Sequence, residues 1–244
     1  MADPRELPLL GVIGGMSWES TATYYRLLNE GVKARLGGLH SARLLVHSVD
    51  FAVIEALQAS GDWRAAGQAL GSAAAGLARA GANAILIATN TMHKVAGYVE
   101  AASGLPLIHI ADATAMAIRE AGLHRVALLG TRYTMAQDFY RGRLQRHGLD
   151  VLVPDAAACT EINRVIYEEL CQGRREAGSR AFYRRAVASL LADGAQGVVL
   201  GCTEVGLLIG PDDLPCPCFD TTTIHADAGV RFALDGALPP APGH

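Results

Sequence analysis

The sequence predicts an α/β protein built from two similar, doubly wound parallel sheets. Three observations carry that expectation. Short apolar runs alternate with longer amphipathic stretches, as buried parallel strands alternate with the helices that connect them. The order of elements restarts near residue 113. Two strand-like runs also end alike. Ala84-Ile85-Leu86-Ile87-Ala88 leads into Thr89-Asn90-Thr91, and Val198-Val199-Leu200-Gly201 leads into Cys202-Thr203-Glu204. Glycine turns precede both at similar spacing, Gly14-Gly15 in the first half and Gly130-Thr131 in the second.

In chain order, Leu9 to Ile13 reads as a buried strand and Gly14-Gly15 as its turn. A helix follows to about Leu36, with Ser17 or Ser20 as its cap. Leu44 to Val49 is a strand ending at Asp50, and Ile54 to Leu57 a short helix. Trp63 to Ala80 is alanine-rich with helical apolar spacing. The strand Ala84 to Ala88, a helix over Met92 to Ala102 and the strand Leu105 to Ile110 complete the first half. The second half reads as helix 113–121, strand 125–129, helix 136–147, short strand 151–153, and helices 161–170 and 174–193. A strand over 197–200 follows, then a helical turn or two over 204–209, a last strand over 215–219 and a last helix over 223–234. The expected first domain is 1–112, completed by 218–244, and the second is 113–217. The proline-rich tail from Leu238 to His244 is expected to fray. In such sheets Thr89 and Cys202 fall at carboxyl ends of strands, where open α/β sheets bind ligands.

Bulk properties narrow the function classes. The 244 residues are 50% apolar and 18% charged, with formal net charge -3, enough to bury a full core. No basic patch favours nucleic acid, because neutralising many phosphates needs clustered Lys and Arg. No apolar run is long enough to span a membrane. The N-terminus lacks the features of a secretory signal, and five cysteines without staple-like spacing fit a reducing compartment, so the expected location is cytoplasmic. Cys216-Pro217-Cys218 lacks the redox spacing of two intervening residues, and no His/Asp/Cys grouping has metal-ligand spacing. Neither a cofactor nor a metal is expected.

Cys202 stands out chemically. It follows a buried strand where a helix is expected to begin, and a helix N-terminus favours a thiolate. A small core residue is the competing reading. Thr89, Asn90 and Thr91 offer hydroxyls, an amide and backbone N–H groups to a carboxylate, or serve simply as a helix cap. His93 is a partner for that cluster or a residue of a helix surface. Gly14-Gly15-Met16-Ser17 and Gly130-Thr131 match no phosphate-loop signature. His225, in the first turns of the last helix, is within range of the ligand cleft.

These segments together resemble the aspartate/glutamate racemase family of cofactor-independent amino-acid racemases. The pieces, in family order, are Gly14-Gly15-Met16-Ser17-Trp18-Glu19-Ser20-Thr21, Thr89-Asn90-Thr91-Met92-His93-Lys94, Gly130-Thr131-Arg132-Tyr133-Thr134-Met135, Gly201-Cys202-Thr203-Glu204 and Phe219-Asp220-Thr221-Thr222-Thr223-Ile224-His225-Ala226. The resemblance implies two α/β domains with the active site in the cleft between them, a homodimer, and a small acidic amino acid as substrate. It also implies two catalytic positions on opposite faces of the substrate α-carbon, here Thr89 and Cys202, where typical members carry two cysteines. The Thr/Cys pair is similar to a subgroup preferring L-aspartate and L-glutamate, with Cys202 toward the α-hydrogen of the L-form.

The same resemblance makes Met16, Ser17, Asn90, Thr91, Thr131, Tyr133, Thr134, Thr203 and Glu204 the substrate-binding set. His93, Arg132, Arg164 and His225 are its supporting candidates. An aliphatic hydroxyl is a far poorer base than a thiol, whose ordinary pKa is about 8.5. The missing first cysteine therefore keeps two alternatives open. One is a malonate-type decarboxylase with a single proton-donating cysteine; the other is a non-catalytic amino-acid-binding protein. Hydantoin racemases and maleate isomerases resemble the chain less, since both rely on the cysteine pair.

Overall fold

The structure is a computed structural model, and it describes residues 7–242. Among the described residues, eight strands run in chain order: β1 Leu10–Gly14, β2 Leu44–Ser48, β3 Ala84–Ile87, β4 Leu107–Ile108, β5 Arg125–Gly130, β6 Asp150–Leu152, β7 Val198–Gly201 and β8 Cys218–Asp220. Ten α-helices among the same residues connect and follow them: α1 Trp18–Leu36, α2 Phe51–Ser60, α3 Trp63–Arg79, α4 Ala96–Ser103, α5 Ile110–Glu120, α6 Arg132–Ala136, α7 Asp138–Arg146, α8 Ala156–Glu168, α9 Ala177–Ala192 and α10 Thr221–Asp235. No helix among the described residues is long and apolar enough to cross a membrane.

The strands form two four-stranded parallel sheets of matching order, β2-β1-β3-β4 and β6-β5-β7-β8. The expected pair of parallel-sheet α/β domains is what the structure contains. One compact unit comprises the described residues through Ile110 together with His225–Pro239, and the other comprises Ala111–Ile224. The last strand departs from the expected boundary at 218. Phe219 is buried and pairs in register with Val199, so β8 completes the second sheet, and the first unit resumes only at His225.

In the first unit, the pleat divides the side chains between two faces. Ile13, Ile85 and Ile87 pack with Leu70, Ala73, Ala74 and Leu77 of α3. Leu10 and Leu86 point to the other side and meet Leu28 of α1 around Gly229 of α10. That crossing is tight: a Cβ on Gly229 would press on Leu28, and one on Gly31 would press on Val230. In the second unit, Ala127, Leu129, Val198 and Leu200 pack with Ile162, Val165 and Ile166 of α8 and Tyr183, Val187 and Leu190 of α9. Helices α5 and α7 are joined by polar contacts. Buried Asp112 accepts two hydrogen bonds from Arg143, at 2.6 and 2.7 Å, and lies 2.8 Å from His147 Nε2.

Local chemistry sets the helix starts. Ser17, Asp50, Asp62, Thr131 and Asp155 accept backbone N–H groups at the heads of α1, α2, α3, α6 and α8. Such caps stabilise by about 1 kcal/mol each. The Asp50 cap starts α2 at Phe51, three residues ahead of the expected Ile54. The expected helix over 136–147 is α7, and a separate short helix, α6, precedes it, set off by Gln137, which is extended with φ -99° and ψ 151°. The helix expected from Met92 begins instead as a 3-10 turn, Thr91–Val95, and becomes α-helical at Ala96. The turn expected after Cys202 shrinks to the 3-10 segment Val205–Leu207.

Candidate active site

The polar clusters stand at carboxyl ends of neighbouring strands within each unit. In the first unit, β1 and β3 pair from Leu10↔Ala84 to Ile13↔Ile87, so the two exits lie side by side. After β1 the chain turns at Gly15, whose φ of 92° is left-handed and whose missing Cβ leaves room for the Val49 backbone. The Gly15 N–H donates to Thr21 Oγ1 at 2.7 Å, and Thr21 Oγ1 donates to the Ser17 carbonyl at 2.9 Å. Ser17 Oγ receives the Ser20 N–H, so the Ser17 hydroxyl is partly engaged in capping α1. Met16 is buried beside this turn.

Beyond β3, Thr89 is half-buried while Asn90, Thr91 and His93 are buried. The Thr89 N–H returns to the Ile87 carbonyl at 2.8 Å. His93 fixes the loop from below. Its Nε2 accepts the Ile110 N–H at 3.3 Å, and its Nδ1 lies 2.8 Å from the Thr89 carbonyl. An amide N–H can only donate and a carbonyl can only accept, so the ring carries its proton on Nδ1. His93 thus grips the Thr89 backbone and leaves the Thr89 hydroxyl outside that clamp.

Two further imidazoles pack against it, His109 with ring centroids 4.6 Å apart and His225 at 5.5 Å. His225 is fully buried; its Nε2 donates to the Ile108 carbonyl at 2.7 Å and its Nδ1 faces the Tyr24 hydroxyl at 2.9 Å. Burial lowers its pKa to about 4, so it is neutral near pH 7. With both nitrogens satisfied inside the unit, His225 braces α10 against β4 and α1. The structure does not bring it to the candidate substrate groups.

In the second unit, β5 and β7 end on facing glycines, Gly130 and Gly201. Each packs against the other strand's backbone and against Thr134, so larger side chains would force the two exits apart. Thr131 caps α6: its Oγ1 accepts the Thr134 N–H at 3.3 Å, and the two hydroxyls lie 3.2 Å apart. Tyr133 is buried under the Arg132 guanidinium, which sits 4.8 Å above the ring and donates to the Tyr133 hydroxyl at 2.7 Å. The Arg132 N–H donates to Asn163 Oδ1 at 2.9 Å, tying the turn to α8.

Cys202 follows β7 and is 8% exposed. Its thiol donates to Glu204 Oε2 at 2.9 Å. Burial, and then the negative charge of Glu204, push the thiol pKa well above its ordinary value. This overturns the expectation of a thiolate favoured by a helix N-terminus. The three-residue 3-10 turn after Glu204 supplies no such dipole, and a carboxylate occupies the place where it would act. The resting sulfur is a protonated acid beside a base. Thr203, half-buried, lies between them in sequence.

Arg164 is likewise set apart by its partners. It forms a two-point pair with Glu161, at 2.7 and 2.9 Å, and a third bond to Glu169 Oε1 at 2.7 Å. Glu169 Oε2 accepts from Ser179 at 2.6 Å. Hydrogen bonds from Arg164 to Glu161, and chiefly from Ser179 to Glu169, hold both carboxyls below their usual range. The structure does not show Arg164 presented to a ligand. Glu204, two residues beyond Cys202, stands on the thiol side as its adjacency in sequence implies. The Gly130–Gly201 facing pair is the feature that sequence reasoning missed, and the matched strand-end glycines were its available signal.

The sequence profile of the Asp/Glu/hydantoin racemase family matches residues 13–229. A crystal structure of a candidate Asp/Glu racemase from Yersinia pestis is 56% identical, with TM-score 0.89, and the match covers 93% of this chain and 99% of that one. The crystal structure of an aspartate racemase homologue from Pyrococcus horikoshii is 35% identical, with TM-score 0.82 and the same coverage of 93% and 99%. At 21% identity, an aspartate racemase from Picrophilus torridus shares the fold, with TM-score 0.72 over 95% of this chain and 96% of that one. The chain belongs to the Asp/Glu/hydantoin racemase family and is a pyridoxal-independent amino-acid racemase.

Proposed function

We propose that the protein interconverts L-aspartate or L-glutamate with the D-enantiomer, using Cys202 and Thr89 on opposite faces of the substrate α-carbon. The observation that carries the reading is the Cys202–Glu204 pair, in which a buried thiol touches a carboxylate at 2.9 Å. The thiol proton passes to Glu204, the thiolate takes the α-proton of the L-substrate, and a carbanion is left at Cα. A proton then arrives at the opposite face from the Thr89 hydroxyl; Thr89 takes a proton back from water, and Glu204 releases the one it received to water, so both residues return to their resting states. Each turnover returns one proton for the one removed, so no redox partner is needed. The reverse direction starts at Thr89, where an aliphatic hydroxyl is a weak base. Since the equilibrium constant is one, kcat/KM is equal in both directions, and the asymmetry is a lower saturating D-to-L rate matched by a lower KM for the D-form.

The carbanion needs its charge spread onto the α-carboxylate, and aimed donors do this best. Asn90, Thr91, Thr131, Thr134 and Thr203 supply them in this reading, with Met16, Ser17 and Tyr133 shaping the surroundings. His93 acts through Thr89, by fixing the loop that carries it. The family resemblance further supports a homodimer in the cytoplasm.

The test is proton NMR of the purified protein in heavy water with L-aspartate, and separately with L-glutamate, without pyridoxal phosphate. Loss of the α-proton signal with chiral detection of D-product is the expected result. Neither exchange nor D-product with either acid would overturn the proposal. A second reading, a single-cysteine decarboxylase of malonates, is favoured by the protonated resting state of Cys202, which suits a proton donor. Carbon dioxide release from an arylmalonate, without Cα exchange in the amino acids, would select it.

A further inference from the structure

A cavity of about 480 Å³ opens in the second unit, and neither Cys202 nor the proposed carboxylate donors Thr131, Thr134 and Thr203 line it. It is lined by Arg132, Met135 and Ala136 of α6, Arg141 of α7, Val153 after β6, and Cys159, Thr160 and Asn163 of α8. Cys202, Thr203 and Glu204 do not line it. Helical spacing explains the separation: residues 132, 135 and 136 share one side of the α6 turn. Thr134, on another side, packs against Gly130 and Gly201 at the strand ends.

The charge pattern of this cavity is one-sided. Two arginines line it and no carboxylate does. Arg141 and Arg143, on the same helix, make the contrast. Arg143 is neutralised by Asp112 at 2.6 Å, whereas Arg141 forms no ion pair among the described residues. The Arg141 Nε is buried and has no hydrogen-bond partner among them. A donor withdrawn from water and left unpaired is destabilising, and an oxyanion would remove that cost. Asp155 caps α8, accepting the Ala158 N–H at 2.8 Å, and, after burial, its charge helps hold the Cys159 thiol of the wall protonated. The rest of the wall is apolar or neutral: Met135, Ala136, Val153 and Cys159, whose thiol donates to the Pro154 carbonyl at 3.2 Å.

We propose that this cavity is a second ligand site, taking a small organic anion whose carboxylate or phosphate head pairs with Arg141 and whose hydrocarbon body lies against Met135, Ala136, Val153 and Cys159. Its size lies within the roughly 300–1,000 Å³ range of small-molecule sites, larger than a bare inorganic anion needs. The ligand is an effector and not the reacting amino acid, because Cys202 is not on the cavity wall. Its route to the reaction is short. Asn163 on the cavity wall accepts the Arg132 N–H, the residue next to Thr131, so an occupant that shifts Asn163 shifts the Thr131 turn.

Calorimetric titration of the full chain with hexanoate, hexyl phosphate, inorganic phosphate and 1-hexanol tests the proposal. Hexanoate or hexyl phosphate is expected to saturate one site per chain, and the tighter of the two identifies the head group. Hexanol and inorganic phosphate bind at least about tenfold more weakly, since each lacks one half of the match. Arg141→Gln weakens the preferred anion at least about tenfold and leaves Cα exchange in its absence unchanged. Ala136→Phe, a substitution at the exposed rim, blocks binding without touching the core and decides the matter if the first variant folds poorly. Failure of both amphiphilic anions to saturate, equal binding of hexanol or phosphate, or undiminished binding to Ala136→Phe would overturn the site.

Discussion

The strand end carrying Thr89 and the strand end carrying Cys202 are equivalent in topology and opposite in how they are held. At Thr89 the protein grips the backbone: His93 bridges the Thr89 carbonyl and the Ile110 N–H, and the hydroxyl is not part of the clamp. At Cys202 it grips the reactive atom itself, through a carboxylate at 2.9 Å. The first arrangement fixes position and changes no proton affinity at the side chain. The second changes proton affinity directly, because a buried thiol beside an anion resists ionisation. Matching topology therefore does not produce matching chemistry; the side chains four residues beyond Thr89 and two beyond Cys202 decide it.

Removing the sulfur breaks the comparison most severely. Cys202→Ser is expected to lower exchange at the α-carbon of L-substrates by about 10³-fold, within the range for loss of a positioned acid–base group, while thermal unfolding stays cooperative. Exchange at the wild-type rate would remove Cys202 from the reaction. Glu204→Gln comes next and probes the proton's destination. Without the carboxylate charge the thiol pKa falls, although burial still holds it up, so alkylation of Cys202 by iodoacetamide rises at lower pH than in the wild type. If Glu204 takes the thiol proton, exchange nevertheless drops by about 10²-fold. Faster alkylation together with faster exchange would mean that Glu204 only restrains the thiol. Thr89→Cys sharpens the comparison from the other side. A thiol on the His93-held loop is expected to raise the saturating D-to-L rate severalfold relative to the saturating L-to-D rate, with KM values shifting to keep kcat/KM equal both ways. An unchanged ratio of saturating rates, followed by chiral chromatography, would show that basicity at Thr89 does not limit the reverse direction.

The contrast between the two ends was only half legible in the sequence. Parallel sheets, their restart and the strand ends at Thr89 and Cys202 follow from apolar runs and glycine turns, which are local signals. The split of α6 from α7 is backbone geometry at Gln137 that no residue type announces. The end of the second sheet was misplaced because Phe219 reads equally well in either unit, and only its pairing with Val199 assigns it. At the site, the short-range couplings of His93 to Thr89 and Glu204 to Cys202 were visible, because they span two to four residues, and the long-range ones were not. Arg164 looks like an available cation until Glu161 and Glu169 close on it. His225 looks like a cleft residue until Tyr24, about 200 positions earlier in the sequence, meets it in the interior. Cys202 looks like a thiolate as long as a helix is assumed to follow. Each error arises from a partner whose approach depends on tertiary packing.

Acid offers the mildest way to separate the two ends. His225 braces the unit that carries Thr89, and its pKa falls from 6.5 to about 4 on burial. A depressed histidine pKa means that the unfolded chain binds the proton more readily than the folded one. Its stabilising contribution is therefore complete above about pH 6.5 and is lost as pH falls toward 4, amounting to about 3 kcal/mol across that window. The Cys202 end responds in the opposite direction, since its raised thiol pKa places ionisation on the alkaline side of neutrality. Denaturant unfolding at pH 7.5 and pH 5 is expected to show lower stability at the acid end, and His225→Gln is expected to flatten part of that slope. Iodoacetamide reactivity of Cys202 should stay low throughout the same acid range. An unfolding free energy that does not change between those two pH values would show that the His225 proton can be accommodated in the folded unit, and that the brace is held by packing with Tyr24 and not by the neutral state of the ring.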